Sequence, residues 1–159
     1  VSAVPANPGR VNLHATALVA GAAGVLVFGP SGAGKTALAL AAIAMERARG
    51  RFAMLVADDR VWLSVAAGRL VAEVPEPIAG LAEIRGLGPV PVAAERRAVI
   101  DRVVRLVPRA QAPRLAGDGA FDEPLPGIRL PRLDLPEHEI EGGARALCAW
   151  LERADSTLS

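Results

Sequence analysis

Residues Val11, Leu13, Ala15, Ala17 and Val19 alternate with smaller or more polar neighbours, a period of two that predicts a strand with one buried face. GAAG at 21–24 reads as a turn, and VLVF at 25–28 as a second strand, buried on both faces. After the segment GPSGAGKT, the run TALALAAIAMERAR consists largely of strong helix formers and stops at Gly50, which predicts a helix. FAMLVA at 52–57 is short and apolar, so it predicts a third strand, running directly into Asp58 and Asp59. Two alternating runs flank AAGR within 61–74 and predict a hairpin. Pro and Gly interrupt 75–92, which yields no element from pattern alone. The run AVIDRVVRLV at 98–107 fits strand or helix, and its Val and Ile content favours strand. Residues 108–136 read as a Pro-rich loop, and Ile140, Ala144, Leu147 and Leu151 fall near helical spacing, which predicts a closing amphipathic helix. No repeat of solenoid length is present.

The bulk properties narrow this picture mainly by exclusion. With 159 residues the chain has room for one domain of ordinary size. Its 18 basic and 17 acidic residues leave a net charge of +1, which suggests neither nucleic acid nor an anionic membrane as partner. No charge occurs between residues 15 and 34, but the glycines, Pro30 and Ser31 in that run favour two strands and a turn over a membrane span. Cys148 has no cysteine to pair with, and His14 and His138 give no zinc-ligand spacing. The single cysteine makes a reducing cytoplasm the expected location, and the opening VSAVPANPGR lacks the layout of a secretory signal.

The chemistry concentrates in GPSGAGKT, which has the spacing G-x-x-x-x-G-K-T. In such a loop Gly29, Gly32 and Gly34 let the backbone turn its N–H groups toward phosphate oxygens, with Pro30, Ser31 and Ala33 completing the cradle and the following helix adding its positive end. Lys35 would bridge the outer phosphates, and the Thr36 hydroxyl would take one position on magnesium. Lys35 is the only lysine in a chain rich in arginine, which supports a dedicated phosphate role. Phosphoryl transfer also needs an acid at the end of a neighbouring strand, and Asp58 and Asp59 follow the next strand, where a parallel crossover would bring them beside Lys35. Two acids that merely begin a turn are the plainer alternative. The guanine-selecting N-K-x-D and the transporter signature L-S-G-G-Q are both missing, which disfavours a GTPase switch and a transporter ATPase.

An ordered set of segments, LHATAL with His14, GVLVFGPSGAGKTALAL, LVADDRV and AEIRGLGPV at 82–90, resembles the catalytic domain of the HPr kinase/phosphorylase family. The last segment discriminates best, and the likeness runs from about residue 11 to 92. It implies an α/β fold, a P-loop nucleotide-binding domain with a mixed sheet and flanking helices. It also implies ATP and Mg2+ as cofactors and a serine of the phosphocarrier HPr as acceptor in the control of carbon metabolism. By the same resemblance Asp59 takes the serine proton, His14 stands beside it, Lys35 binds phosphate, and Thr36 and Glu83 lie at the magnesium positions. Arg114, in PRLAG, matches a catalytic arginine.

Read without the resemblance, His14 is a half-buried strand histidine, Glu83 and Arg85 form a surface ion pair, and Arg114 is solvated. The chain also departs from the family: Ala37 stands where an acidic residue is common, MERARGR lengthens the helix, and a Pro-Gly-Arg-Asn segment used in dephosphorylation is not visible. The whole is similar to a short alphaproteobacterial form without the N-terminal regulatory domain, and the resemblance implies a homo-oligomer, a hexamer, that holds HPr between subunits. Kinase action is the expected function, with the reverse phosphorolysis left open. The alternatives are an ATP-sensing regulatory partner without efficient transfer, and a small-molecule P-loop kinase.

Overall fold

The computed structural model describes residues 9–114 and 119–156. Strands β2 (Thr16–Ala20) and β3 (Ala23–Phe28) pair antiparallel through a tight turn whose first residue, Gly21, has a left-handed φ of 60°. Helix α1 (Lys35–Ala48) and strand β4 (Ala53–Ala57) follow as the apolar pattern predicts, but β4 pairs antiparallel with β2, which stands between it and β3 where a parallel neighbour of β3 was expected. The second predicted hairpin forms from β5 (Val61–Ala66) and β6 (Arg69–Glu73).

Three expectations need correction. The run from Val11 to Val19 is two strands, not one: β1 (Val11–Leu13) pairs with β5, whereas β2 belongs to a different sheet, so the chain turns a corner at His14 and Ala15. The run 98–107 is strand, but β9 (Arg97–Ile100) joins β6 and β10 (Arg102–Val107) joins β3. Asp101 makes that second corner, donating its backbone N–H to Gly24 O at 2.8 Å and accepting the Gly24 N–H at 3.0 Å. The expected Pro-rich loop contains β11 (Phe121–Leu125) and β12 (Ile128–Pro136), the latter parallel to β10. Pro124 lies in the irregular stretch of edge strand β11, Pro126 in the turn and Pro136 at the strand end, whereas Pro131 lies inside β12, opposite Phe121 and before the pairing with β10 begins at Arg132. The unassigned segment 75–92 forms a short 3-10 turn at Glu76–Ile78 and the hairpin β7 (Leu81–Ile84) and β8 (Gly88–Pro91). The predicted closing helix is α2 (Ile140–Ser156).

Two sheets and two cores result. The six-stranded sheet has the order β11-β12-β10-β3-β2-β4, and α1 and α2 cover one face, burying Leu18, Val27, Val104 and Leu135 against Leu38 and Leu147. The four-stranded sheet β1-β5-β6-β9 covers the other face and encloses Leu26, Val56, Leu63, Leu70 and Ile100. Each such buried aliphatic side chain contributes about 1.5–3 kcal/mol. Residues 15–34 thus fold as strands and a loop, and no helix among the described residues is long and apolar enough to cross a membrane. MERARGR closes α1 onto α2: Arg51 pairs with Glu152 at 2.6 Å and lies 3.5 Å from the buried Glu46.

Strands β3, β10 and β12 are parallel, and β4 runs the same way with β2 between it and β3. Their carboxyl ends, Phe28, Val107, Pro136 and Ala57, therefore lie along one edge of the sheet, where open α/β sheets offer a crevice for ligands.

Candidate active site

The loop of residues 29–34 leaves this edge from β3 and enters α1. Gly32 and Gly34 have φ of 80° and 102°, a region that L side chains rarely adopt. A side chain at Gly29 would place Cβ 2.9 Å from Leu106 Cβ, so the loop can lie against β10 only with glycine there. The other flank rests on the start of α2, where His138 donates its backbone N–H to Ala33 O at 3.1 Å and Ile140 packs against Gly34. Pro30, Ser31 and Gly32 are exposed while Ala33 is buried, so the loop has one anchored side and one open side. The first turn of α1 leaves backbone N–H groups without intrahelical acceptors beside the opening.

Lys35 is buried, and its Nζ donates to Gly29 O at 2.8 Å and Pro30 O at 3.1 Å. Burial lowers the pKa of its ammonium, opposed by the nearby Asp59 and Asp58 carboxylates. The predicted neighbourhood of Lys35 with the acids after β4 is therefore present, reached across β2.

The two acids occupy different environments. Asp58 is buried and accepts three hydrogen bonds, from Thr36 Oγ1 at 2.7 Å and Thr16 Oγ1 at 3.0 Å on Oδ1, and from the Glu83 backbone N–H at 2.8 Å on Oδ2. Asp59 is exposed, with its carboxylate 2.5 Å from His14 Nε2. Its φ of 69° closes a three-residue turn in which Arg60 N–H bonds to Asp58 O at 2.8 Å. Aspartate tolerates this strained conformation better than most residues, and the turn aims the adjacent side chains apart.

Of the residues singled out from sequence, His14, Lys35, Thr36, Asp58 and Asp59 come together, and Glu83 joins them through its backbone. The Glu83 side chain is exposed, and among the ion pairs of the described residues none joins it to Arg85. Arg114 is exposed beyond the short 3-10 turn Arg109–Gln111, with no hydrogen bond or ion pair to this cluster among the described residues. Arg85 is the cation that the fold brings to the loop, its guanidinium 3.8 Å from the Cβ position of Gly32. Sequence reasoning passed over Arg85 as half of a surface pair, although it lies inside EIRGLG. It also passed over Thr16, whose hydroxyl in an apolar strand was the available signal.

Phosphate oxygens suit the glycine cradle, which a Cβ would crowd at Gly29 and strain at Gly32 and Gly34. A hard divalent cation suits the oxygen donors of Thr36 and Asp58. The class these features define is a mixed α/β domain with a glycine loop at the carboxyl edge of its sheet, and comparison with known proteins narrows it. The chain superimposes on the Hpr(Ser) kinase/phosphatase from Coxiella burnetii with a TM-score of 0.74 and 25% identity, covering 92% of this chain and 99% of that one. The family model described as HPr Serine kinase C-terminal domain matches residues 8–100, and the chain belongs to that family. It is 34% identical to the HPr kinase/phosphorylase of Caldicellulosiruptor bescii over 137 residues, 80% of this chain and 42% of the relative. With the HPr kinase/phosphorylase of Cupriavidus necator it shares 34% over 157 residues, 91% of this chain and 45% of the relative. The chain spans less than half the length of these curated relatives.

Proposed function

We propose that this domain is an ATP-dependent protein kinase that phosphorylates a serine of HPr. One observation carries the reading: consecutive acids at the end of β4 divide the work, Asp58 tied to Thr36 and Asp59 left exposed beside His14. Loop 29–34 and the start of α1 bind the phosphates through backbone N–H groups, and Lys35 and Arg85 supply positive charge toward them. Asp59 accepts the proton of the serine hydroxyl as its oxygen forms a bond to the γ-phosphorus, and the bond from that phosphorus to the bridging oxygen of the leaving ADP breaks. His14 orients the receiving carboxylate. Magnesium, held by Thr36 with Asp58 behind it and Glu83 nearby, would supply neutralisation of phosphate charge when bound.

In the reverse direction Asp59 would return a proton while inorganic phosphate takes up the phosphoryl group. HPr as acceptor, ATP as donor and a hexameric assembly belong to this proposal, supported by family membership and by the similarity to HPr kinase/phosphorylases. The test is transfer of labelled γ-phosphate from MgATP to purified HPr, followed by incubation of the product with inorganic phosphate. Label on an HPr serine supports the kinase. Nucleotide binding with HPr unlabelled would favour an ATP-sensing partner instead.

A further inference from the structure

Thr16 is fully buried on β2, opposite Val27 of β3, on the face that otherwise presents Leu18 and Ala20 to the helices. A hydroxyl in such a place requires a partner, and it donates to Asp58 Oδ1 at 3.0 Å. The same oxygen receives the Thr36 hydroxyl at 2.7 Å, and the second oxygen receives the Glu83 N–H at 2.8 Å. Three elements, β2, α1 and β7, therefore fix the rotation of one carboxylate. A carboxylate fixed in this way commits the Thr36 proton to itself and leaves the Thr36 lone pairs for a cation. Without the Thr16 donor, one of the contacts that set this rotation is gone.

We infer that Thr16 is a positioning residue for the cation site, acting through Asp58 on the orientation of Thr36. The inference rests on the nucleotide-site reading above. Groups that orient a metal ligand typically contribute 10–100-fold to metal affinity, and a neutral hydroxyl belongs at the lower end.

The experiment measures Mn2+ binding by electron paramagnetic resonance in the presence of β,γ-imido-ATP, alongside binding of that nucleotide without metal, with thermal unfolding recorded for each variant. Thr16→Val keeps the shape and β-branching and removes the hydroxyl, and Thr16→Ser keeps the hydroxyl. The expected result is about tenfold weaker Mn2+ binding for Thr16→Val, unchanged metal-free nucleotide affinity, and recovery in Thr16→Ser. Wild-type Mn2+ affinity in Thr16→Val overturns the inference while leaving the nucleotide site intact. An equal loss of metal-free nucleotide affinity assigns Thr16 to the general structure and also overturns it. Thr16→Ala replaces the valine variant if that one does not fold, and failure of both to fold gives the hydroxyl a folding role in place of the proposed one. Absence of Mn2+ binding with nucleotide in the wild type removes the site reading itself and the inference with it.

Discussion

Asp58 and Asp59 are neighbours in sequence, yet exchanging each for asparagine should produce opposite outcomes. At Asp58 the carboxylate satisfies two hydroxyls and one backbone N–H in a buried site. Asparagine has a single acceptor oxygen, so if it serves Thr16 and Thr36 its amide faces the Glu83 N–H, donor against donor. Hydrogen bonds to a charged group contribute about 1.5–3 kcal/mol each, and one orphaned buried donor costs about 1–3 kcal/mol. Asp58→Asn should therefore lose about 3–5 kcal/mol of stability, and for a chain of this size that lowers Tm by roughly 10 °C. Asp59 makes one side-chain hydrogen bond at an exposed position, and asparagine tolerates its left-handed φ, so Asp59→Asn should stay within about 0.5 kcal/mol of the wild type. Its loss should fall on chemistry, with phosphoryl transfer reduced by about 10²–10⁴-fold as for removal of a general base. Urea titration and a transfer assay on the same preparations give both numbers. Equal destabilisation by the two substitutions, or transfer retained in Asp59→Asn, would refute the division of labour.

Three further outcomes follow from single contacts. A Cβ at Gly24 would fall 1.8 Å from the backbone oxygen of Val99, so Gly24→Ala must separate β9 from β3 and should cost at least about 4 kcal/mol by urea titration; a loss below about 1 kcal/mol contradicts that packing. Arg85→Ala should weaken ADP binding roughly tenfold by calorimetry if the guanidinium contacts phosphate beside Gly32, and unchanged affinity removes it from the site. Burial, with Glu46 beside it, pushes the Cys148 thiol up to about 11 from an ordinary value of 9.0. The folded state then holds its proton more tightly, so this contribution is complete below pH 9 and lost as pH rises through 11, at most about 3 kcal/mol. Lys35, lowered by burial, changes stability in the opposite sense, so the difference between wild type and Cys148→Ala across that range isolates the thiol; a flat difference contradicts its protected state.

The elements around the site were legible because their periods were clean. VLVF, the Ala- and Leu-rich helix and FAMLVA carry their own pattern, and the loop spacing singled out Lys35 and Thr36 as candidates. What the pattern could not give was partition between sheets. Val11 to Val19 read as one run because its alternation continues across the corner, and 98–107 because its Val and Ile content is the same on both sides, whereas the corners at His14 and Asp101 are fixed by long-range contacts. The strands within 108–136 were hidden by prolines, which here sit at a bulge, in a turn, at a strand end or, for Pro131, just before the pairing of β12 with β10 begins. In the candidate site, the side chains with recognisable motifs were found, whereas Thr16 and Arg85 depend on which strand and hairpin fold over the loop.

The central claim, that Asp59 performs the proton transfer at a nucleotide site organised by Asp58 and Lys35, is tested most directly by single-turnover phosphorylation of HPr with nucleotide binding measured in the same samples. The account predicts that Asp59→Asn binds MgATP as the wild type does and forms phosphoserine at least about 100-fold more slowly. Wild-type rates in Asp59→Asn would contradict it.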